Sequence, residues 1–172
     1  MVHRTYVGVR DPIRAFDALI PYVRIVRELQ AKCEPLGPDD NALKIIVDGL
    51  DTAAFHFTRR PLYYEPIRVE RTRGQNFFPG LGDLGDCIAA FDRLEPLTRE
   101  LGRLKFSCRP FGRDYLALNI PQQCLDTAAY HFTRLETFYG ARSDSAGPLG
   151  PGTARREALE RAARERAARR DE

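Results

Sequence analysis

The chain has 172 residues, 43% of them hydrophobic and 30% charged, which are proportions typical of a soluble globular domain. It contains no apolar run near the ~18 residues that a membrane-spanning helix requires, and its N-terminus MVHRTYVGVR lacks the apolar segment of a secretory signal. We therefore expect a cytoplasmic protein. A formal net charge of +3 gives little reason to expect a nucleic-acid partner. The four cysteines form no closely spaced pair and are expected to be reduced: Cys33, Cys87, Cys108 and Cys124.

The first elements along the chain are predicted from residue preferences and spacing. The β-branched and aromatic residues of 3–9 (HRTYVGV) indicate a short strand. Asp11 followed by Pro12 indicates the start of a helix. Apolar residues at helical spacing continue to Leu29 across Pro21, which must either kink that helix or begin another.

A turn-rich segment at residues 33–40 is followed by a second group of elements. The short apolar run 42–47 (ALKIIV) favours a buried strand. Asp51 is then predicted to cap the start of a helix that ends at Pro61. Residues 66–72 (PIRVERT) are predicted to form an edge strand, with which the N-terminal strand could pair.

The sequence contains one segment twice. Residues 50–59 (LDTAAFHFTR) and 125–134 (LDTAAYHFTR) differ only where Phe55 is replaced by Tyr130. A shift of 75 residues also aligns the preceding segments without a gap, so the chain is predicted to hold two copies of one unit. Examples of the matching residues are Asp11, Pro21, Cys33 and Gly37, which recur as Asp86, Pro96, Cys108 and Gly112.

The second copy suggests the fold of both. Residues 104–108 (LKFSC) and 115–120 (YLALNI) flank a Pro-Phe-Gly-Arg-Asp turn as the strands of a hairpin would. Each copy is therefore predicted to be a helix-strand-strand-helix unit. The expected fold class is α+β, an internal tandem duplication packed about a pseudo-two-fold axis as a single domain with a C-terminal flexible or helical tail.

This interpretation divides the chain into four parts. Residues 1–74 hold the first copy with its N-terminal strand, 75–85 a glycine-rich linker, 86–140 the second copy, and 141–172 a linker and an Arg- and Ala-rich tail. The tail has good helix formers and Glu–Arg pairs at i,i+4 spacing but almost no apolar face, which favours a solvated helix or a disordered segment. An arm that binds an acidic partner or RNA is the alternative.

The repeated helix is the best candidate for a functional surface. On a helical wheel its leucine, alanines and second phenylalanine share the face toward the core, while polar residues lie opposite. Packing explains why both copies keep the apolar residues but not why they keep the polar ones. The predicted ligand- or partner-binding residues are Thr52, Phe55, His56, Arg59, Thr127, Tyr130, His131 and Arg134. The structural alternative is that each stripe packs against the other copy or against the hairpin, with Arg59 and Arg134 paired to carboxylates such as Asp17 and Asp92.

Two other patterns carry less weight. Cys33, Cys108, His56 and His131 are zinc-ligand types that recur in both copies, but they are widely separated, and buried thiols with surface histidines are the simpler interpretation. Residues 80–85 (GLGDLG) fit a phosphate-binding glycine pattern before a helix, yet a proline makes the preceding segment a poor strand. No metal, cofactor or catalytic residue is assigned.

Three classes of function remain. We expect a non-enzymatic binding or adaptor protein whose Thr/His/Arg-lined surface meets a protein partner or an anionic small molecule, and a homo-oligomer is compatible with this. One alternative is a small enzyme that uses His131 with Tyr130 or Asp126 as acid and base, so enzymatic activity stays open. The other is association with nucleic acid through the Arg-rich tail.

Overall fold

A computed structural model describes residues 6–71, 77–136 and 138–139, together with residues 160, 161, 164 and 168 of the tail. Between residues 6 and 136, the described part contains six helices and no strand, so the predicted α+β fold class is wrong. The helices are α1 (Pro12–Asp17), α2 (Ile20–Gln30), α3 (Pro38–Thr58), α4 (Leu84–Asp92), α5 (Glu95–Phe106) and α6 (Arg113–Thr133).

The predicted inner strands lie within helices. Residues 42–47 belong to α3 and 115–120 to α6, while 104–108 cover the end of α5 and the turn after it. The helix-strand-strand-helix unit is therefore wrong. Residues 6–9 and 66–71 have no regular structure, and the remaining positions of those two predicted strands lie outside the described residues.

The error has a physical reason in the apolar pattern of α3. Leu43, Ile46, Val47 and Leu50 follow the spacing i, i+3, i+4 and i+7 and are all fully buried. A short apolar run is typical of a buried strand or of a buried helix, and only its continuation into the repeated segment distinguishes them. Asp51 accordingly lies in the middle of α3, and Gly37 is the N-cap.

At the start of each copy the observed helices agree better with the prediction made from the sequence. Asp11 is the N-cap of α1, where its carboxylate accepts a hydrogen bond from the backbone N–H of Arg14 at 3.1 Å. Of the two outcomes allowed for Pro21, the structure has the second, because a new helix begins at Ile20 with the proline in its first turn. Pro96 is placed in the same way at the start of α5.

The two copies use equivalent helices. α3 and α6 have 21 residues each and span equivalent positions from end to end. α1 and α2 pack against α3, α4 and α5 pack against α6, and the most extensive contact joins α3 to α6. Each copy is thus a helical hairpin whose first arm is broken in two, and the long second arms form the centre of the molecule. None of the described helices combines the length and the hydropathy that crossing a membrane requires.

The two long helices are antiparallel and cross at Gly49. A Cβ atom at this glycine would lie 2.8 Å from Sγ of Cys124 and 3.2 Å from Cα of Pro121, so the absence of a side chain permits the close approach. Cys124 occupies the position of Gly49 in the second copy. The crossing point therefore coincides with the approximate axis that relates the copies.

Candidate functional site

The repeated segment forms the last turns of α3 and α6. Its predicted core face is confirmed, because Leu50, Ala53 and Ala54 are fully buried. Phe57 is partly buried, and its ring centroid lies 5.7 Å from that of Phe16. The segment therefore contributes its apolar face to the core of the molecule.

The two histidines connect the copies. Nε2 of His56 lies 2.8 Å from Oδ1 of Asp114, and Nε2 of His131 lies 2.7 Å from Oδ1 of Asp39. Asp39 and Asp114 are themselves equivalent residues, so the same contact is made twice. Each aspartate lies in the first turn of its helix, where the helix dipole favours a negative charge, and each histidine lies in the last turn.

The arginines of the segment are exposed rather than paired. Arg59 and Arg134 are the C-caps of α3 and α6, with left-handed φ angles of 59° and 56°. Within the described part of the chain, neither guanidinium makes a hydrogen bond or an ion pair. Asp17, which was suggested as a partner, instead accepts a hydrogen bond from the hydroxyl of Tyr63 at 2.7 Å.

Each of these arginines follows an exposed aromatic residue by four positions in the chain. Phe55 is 46% exposed and Tyr130 is 44% exposed. The guanidinium of Arg134 lies 5.8 Å from the ring centroid of Tyr130, a distance at which a cation–π attraction operates. Thr52 and Thr127 are exposed one turn earlier on the same helices.

The predicted residues form two sets, one at each end of the long helices. Asp39 and His56 are 17 residues apart on α3, and at about 1.5 Å per residue this places the two His–Asp pairs about 25 Å from each other. A single small ligand cannot contact both sets. None of the eight predicted residues lines either of two surface cavities, of about 360 and 430 Å³.

Two exposed apolar residues at these ends were missed by the sequence reasoning. Leu36 and Phe111, which are equivalent, are 86% and 82% exposed and have left-handed φ angles of 64° and 59°. Leu36 precedes the helix that carries Asp39, and Phe111 precedes the helix that carries Asp114. The available signal was a Pro-Leu-Gly turn in one copy and a Pro-Phe-Gly turn in the other.

The thiols and imidazoles suggested for zinc do not converge. Sγ of Cys33 donates to the carbonyl of Leu29, and Sγ of Cys108 donates to the carbonyl of Leu104. Burial raises the pKa of Cys33 to about 11, which disfavours the thiolate that zinc requires. Among the residues that the structure describes, no group of three or more His, Cys, Asp or Glu side chains is placed to hold a metal ion.

Asp126, suggested as a partner for His131, has another role. Its carboxylate accepts a hydrogen bond from the backbone N–H of Tyr139 at 3.2 Å, as Asp51 does from Tyr64 at 2.8 Å. Burial raises the pKa of both carboxyls, and the backbone hydrogen bonds partly offset this. These aspartates fix the chain that follows each long helix.

The glycine-rich segment leads into α4 without offering a phosphate site. Asp83 and Asp86 form a reciprocal capping box at the start of that helix. Their carboxylates accept hydrogen bonds from backbone N–H groups that a phosphate would need, and their negative charge would repel a phosphate there. Gly80 and Gly82 have positive φ angles of 67° and 91°, consistent with a turn between the copies.

Comparisons with protein-family models, with curated protein sequences and with solved structures find no match to this chain.

Proposed function

We propose that the protein is a non-enzymatic binding protein that engages a protein partner through two related patches. The α3 patch consists of Thr52, Phe55 and Arg59, with Phe111 of the other copy at the same end of the helix pair. The α6 patch consists of the equivalent residues Thr127, Tyr130, Arg134 and Leu36. His56 and His131 lie on the same helix turns, and each contacts an aspartate of the other copy.

The observation that carries the proposal is the exposed aromatic–arginine pair kept in both copies. A glycine would suit the left-handed C-cap of each long helix better than Arg59 or Arg134. A half-exposed Phe55 or Tyr130 gains little from the core. Aromatic residues and arginine are the types that contribute most to protein interfaces when a partner buries them.

The distance between the patches favours a macromolecular partner. A helix of about 17 residues, or a partner with its own two-fold symmetry, would span the 25 Å between them, estimated from about 1.5 Å of rise per residue. The arginines would form charge-assisted hydrogen bonds with carboxylates of that partner, and the exposed apolar side chains would pack beside these bonds.

The test compares two double variants that remove the same charge. Arg59→Ala/Arg134→Ala removes both patch arginines, while Arg24→Ala/Arg99→Ala removes an equivalent exposed pair from α2 and α5 and serves as the control. All proteins must first show matching thermal midpoints. Quantitative affinity capture should then recover a partner with the parent protein and the control but at least about tenfold less with the patch variant, a loss near 1.4 kcal/mol. Equal capture by all three proteins would contradict the proposal.

A further inference from the structure

We infer that the first copy carries a further site, for a small oxyanion, in the cavity between α2, α3 and residues 65–71, which shares Leu36 with the α6 patch. The cavity has a volume of about 360 Å³, within the range of small-molecule sites. Four cationic side chains line it, against two carboxylates. The cations are Arg27, Lys44, Arg68 and Arg71, and the carboxylates are Asp40 and Glu65.

One ion pair forms the fixed wall of this cavity. The side chain of Asp40 is only 7% exposed, and its Oδ1 accepts a hydrogen bond from Nη2 of Arg71 at 2.5 Å. The same guanidinium donates to the backbone carbonyl of Gln30 at 3.2 Å. The buried carboxylate is thus neutralised by Arg71. Three cations of the lining remain, Arg27, Lys44 and Arg68, and Glu65 is the other carboxylate that lines the cavity.

Arg27 provides an unused donor. Its Nη1 donates to Oε1 of Gln30 at 2.9 Å, but its Nε is buried and has no hydrogen-bond partner among the described residues. Burial raises the pKa of the Asp51 carboxyl, and Arg27 partly offsets this shift without a hydrogen bond between them. A buried N–H without an acceptor is costly. Because Nε is buried, an oxyanion in the cavity would contact it only after the Arg27 side chain turns toward the ligand.

The remaining two cations can turn toward a ligand. Nζ of Lys44 lies 2.5 Å from a carboxylate oxygen of Asp48, and Arg68 pairs with Glu65, both on the exposed rim. Exposed pairs of this kind contribute little to stability, so exchanging the carboxylate for a ligand oxyanion costs little.

The described part of the second copy lacks several of these charged side chains. Gly102, Tyr115 and Asn119 stand where the first copy has Arg27, Asp40 and Lys44. The single cation there is Lys105, in the position of Gln30, and its ammonium donates to Asn119 at 3.2 Å and to Gln122 and lies 5.0 Å from the Tyr115 ring centroid. Because both copies have the same helix arrangement, the helix packing does not require the cations of the first copy.

The donors indicate the ligand chemistry. Planar guanidinium groups bind phosphate or carboxylate oxygens in pairs, and an ammonium group adds a point charge. A small molecule with at least two negative charges on phosphate or carboxylate groups fits the cavity volume and the excess of cations.

Calorimetric titration of the full chain with inorganic pyrophosphate and with citrate tests this inference and distinguishes the two chemistries. One probe should bind saturably at a one-to-one ratio, and Arg27→Gln should weaken binding at least about tenfold. The matched control is Arg24→Gln, on the exposed side of the same helix, which should leave the affinity unchanged. Should Arg27→Gln fail to fold, the exposed double variant Lys44→Gln/Arg68→Gln provides the same measurement.

The inference is overturned if neither probe binds saturably to the parent protein. It is equally overturned if Arg24→Gln weakens binding as much as Arg27→Gln, because that result indicates nonspecific attraction to the surface charge.

Discussion

Replacing Gly49 with alanine tests the close contact between α3 and α6. At an open helix position this change stabilises a protein by about 0.8–1 kcal/mol, because alanine is the better helix former. Here the new Cβ would lie 2.8 Å from Sγ of Cys124 and 3.2 Å from Cα of Pro121. The sulfur can move by changing its rotamer, but the proline Cα is backbone, so the helices must separate. Overpacking of this kind costs about 1–3 kcal/mol, so we expect a net loss of about 1 kcal/mol.

Gly102→Ala is the matched control for this substitution. It also lies inside a helix, but its new Cβ would have only Nε2 of Gln122 nearby, at 3.7 Å. It should stabilise the protein by about 1 kcal/mol, so the two variants should differ by about 2 kcal/mol in urea denaturation. Adding Cys124→Ala to Gly49→Ala should recover part of the loss, because it removes the nearest clashing atom. Equal stabilisation by the two glycine substitutions would refute a tight crossing at the axis.

Two further predictions concern buried groups of the first copy. Arg71→Ala should lower the free energy of unfolding by about 3 kcal/mol, because it leaves the buried carboxylate of Asp40 without its cationic partner. Adding Asp40→Asn should restore part of the lost stability, as measured by chemical denaturation. Burial raises the pKa of Cys33 to about 11 from a usual value of 9.0. Between these pH values the thiol therefore keeps its proton in the folded state and loses it in the unfolded state. Stability from this thiol is complete below pH 9 and declines as the pH rises toward 11, and denaturation at several pH values should show a smaller decline for Cys33→Ala. An unchanged free energy in the first case, or an equal decline in the second, would contradict these explanations.

The sequence predicts the copies and their core face better than the type of secondary structure. The match at a 75-residue shift and the burial of Leu50, Ala53 and Ala54 follow directly from residue identities. The strand predicted at 42–47 fails because β-branched residues pack equally well in a buried helix, and neighbours distant in sequence decide between the two. Asp51 also misleads, since it resembles a cap but binds the backbone of Tyr64 from within α3.

The contacts of the site could not be predicted because they join the copies. His56 and Asp114 are 58 residues apart in sequence, and His131 and Asp39 are 92 residues apart. Only antiparallel packing of the two long helices brings the end of one beside the start of the other. The helical wheel also places Arg59 on a polar face. It does not show that this residue is a left-handed C-cap, because that depends on where α3 ends.

The left-handed arginines give an energetic reason to expect a role for the patches outside folding. A residue with a Cβ atom loses about 1–2 kcal/mol in this conformation, a cost that glycine avoids. Arg59 and Arg134 both adopt this conformation, and Leu36 and Phe111 adopt it just before the start of each long helix. With Leu62, which lies outside the patches, five non-glycine residues of the described chain have a positive φ. Native proteins are stable by only about 5–15 kcal/mol, so the combined cost of these positions is substantial. Because the exposed side chains contribute little to the core, the benefit that balances this cost is best sought in a bound partner, which burial of the arginines and apolar side chains would supply.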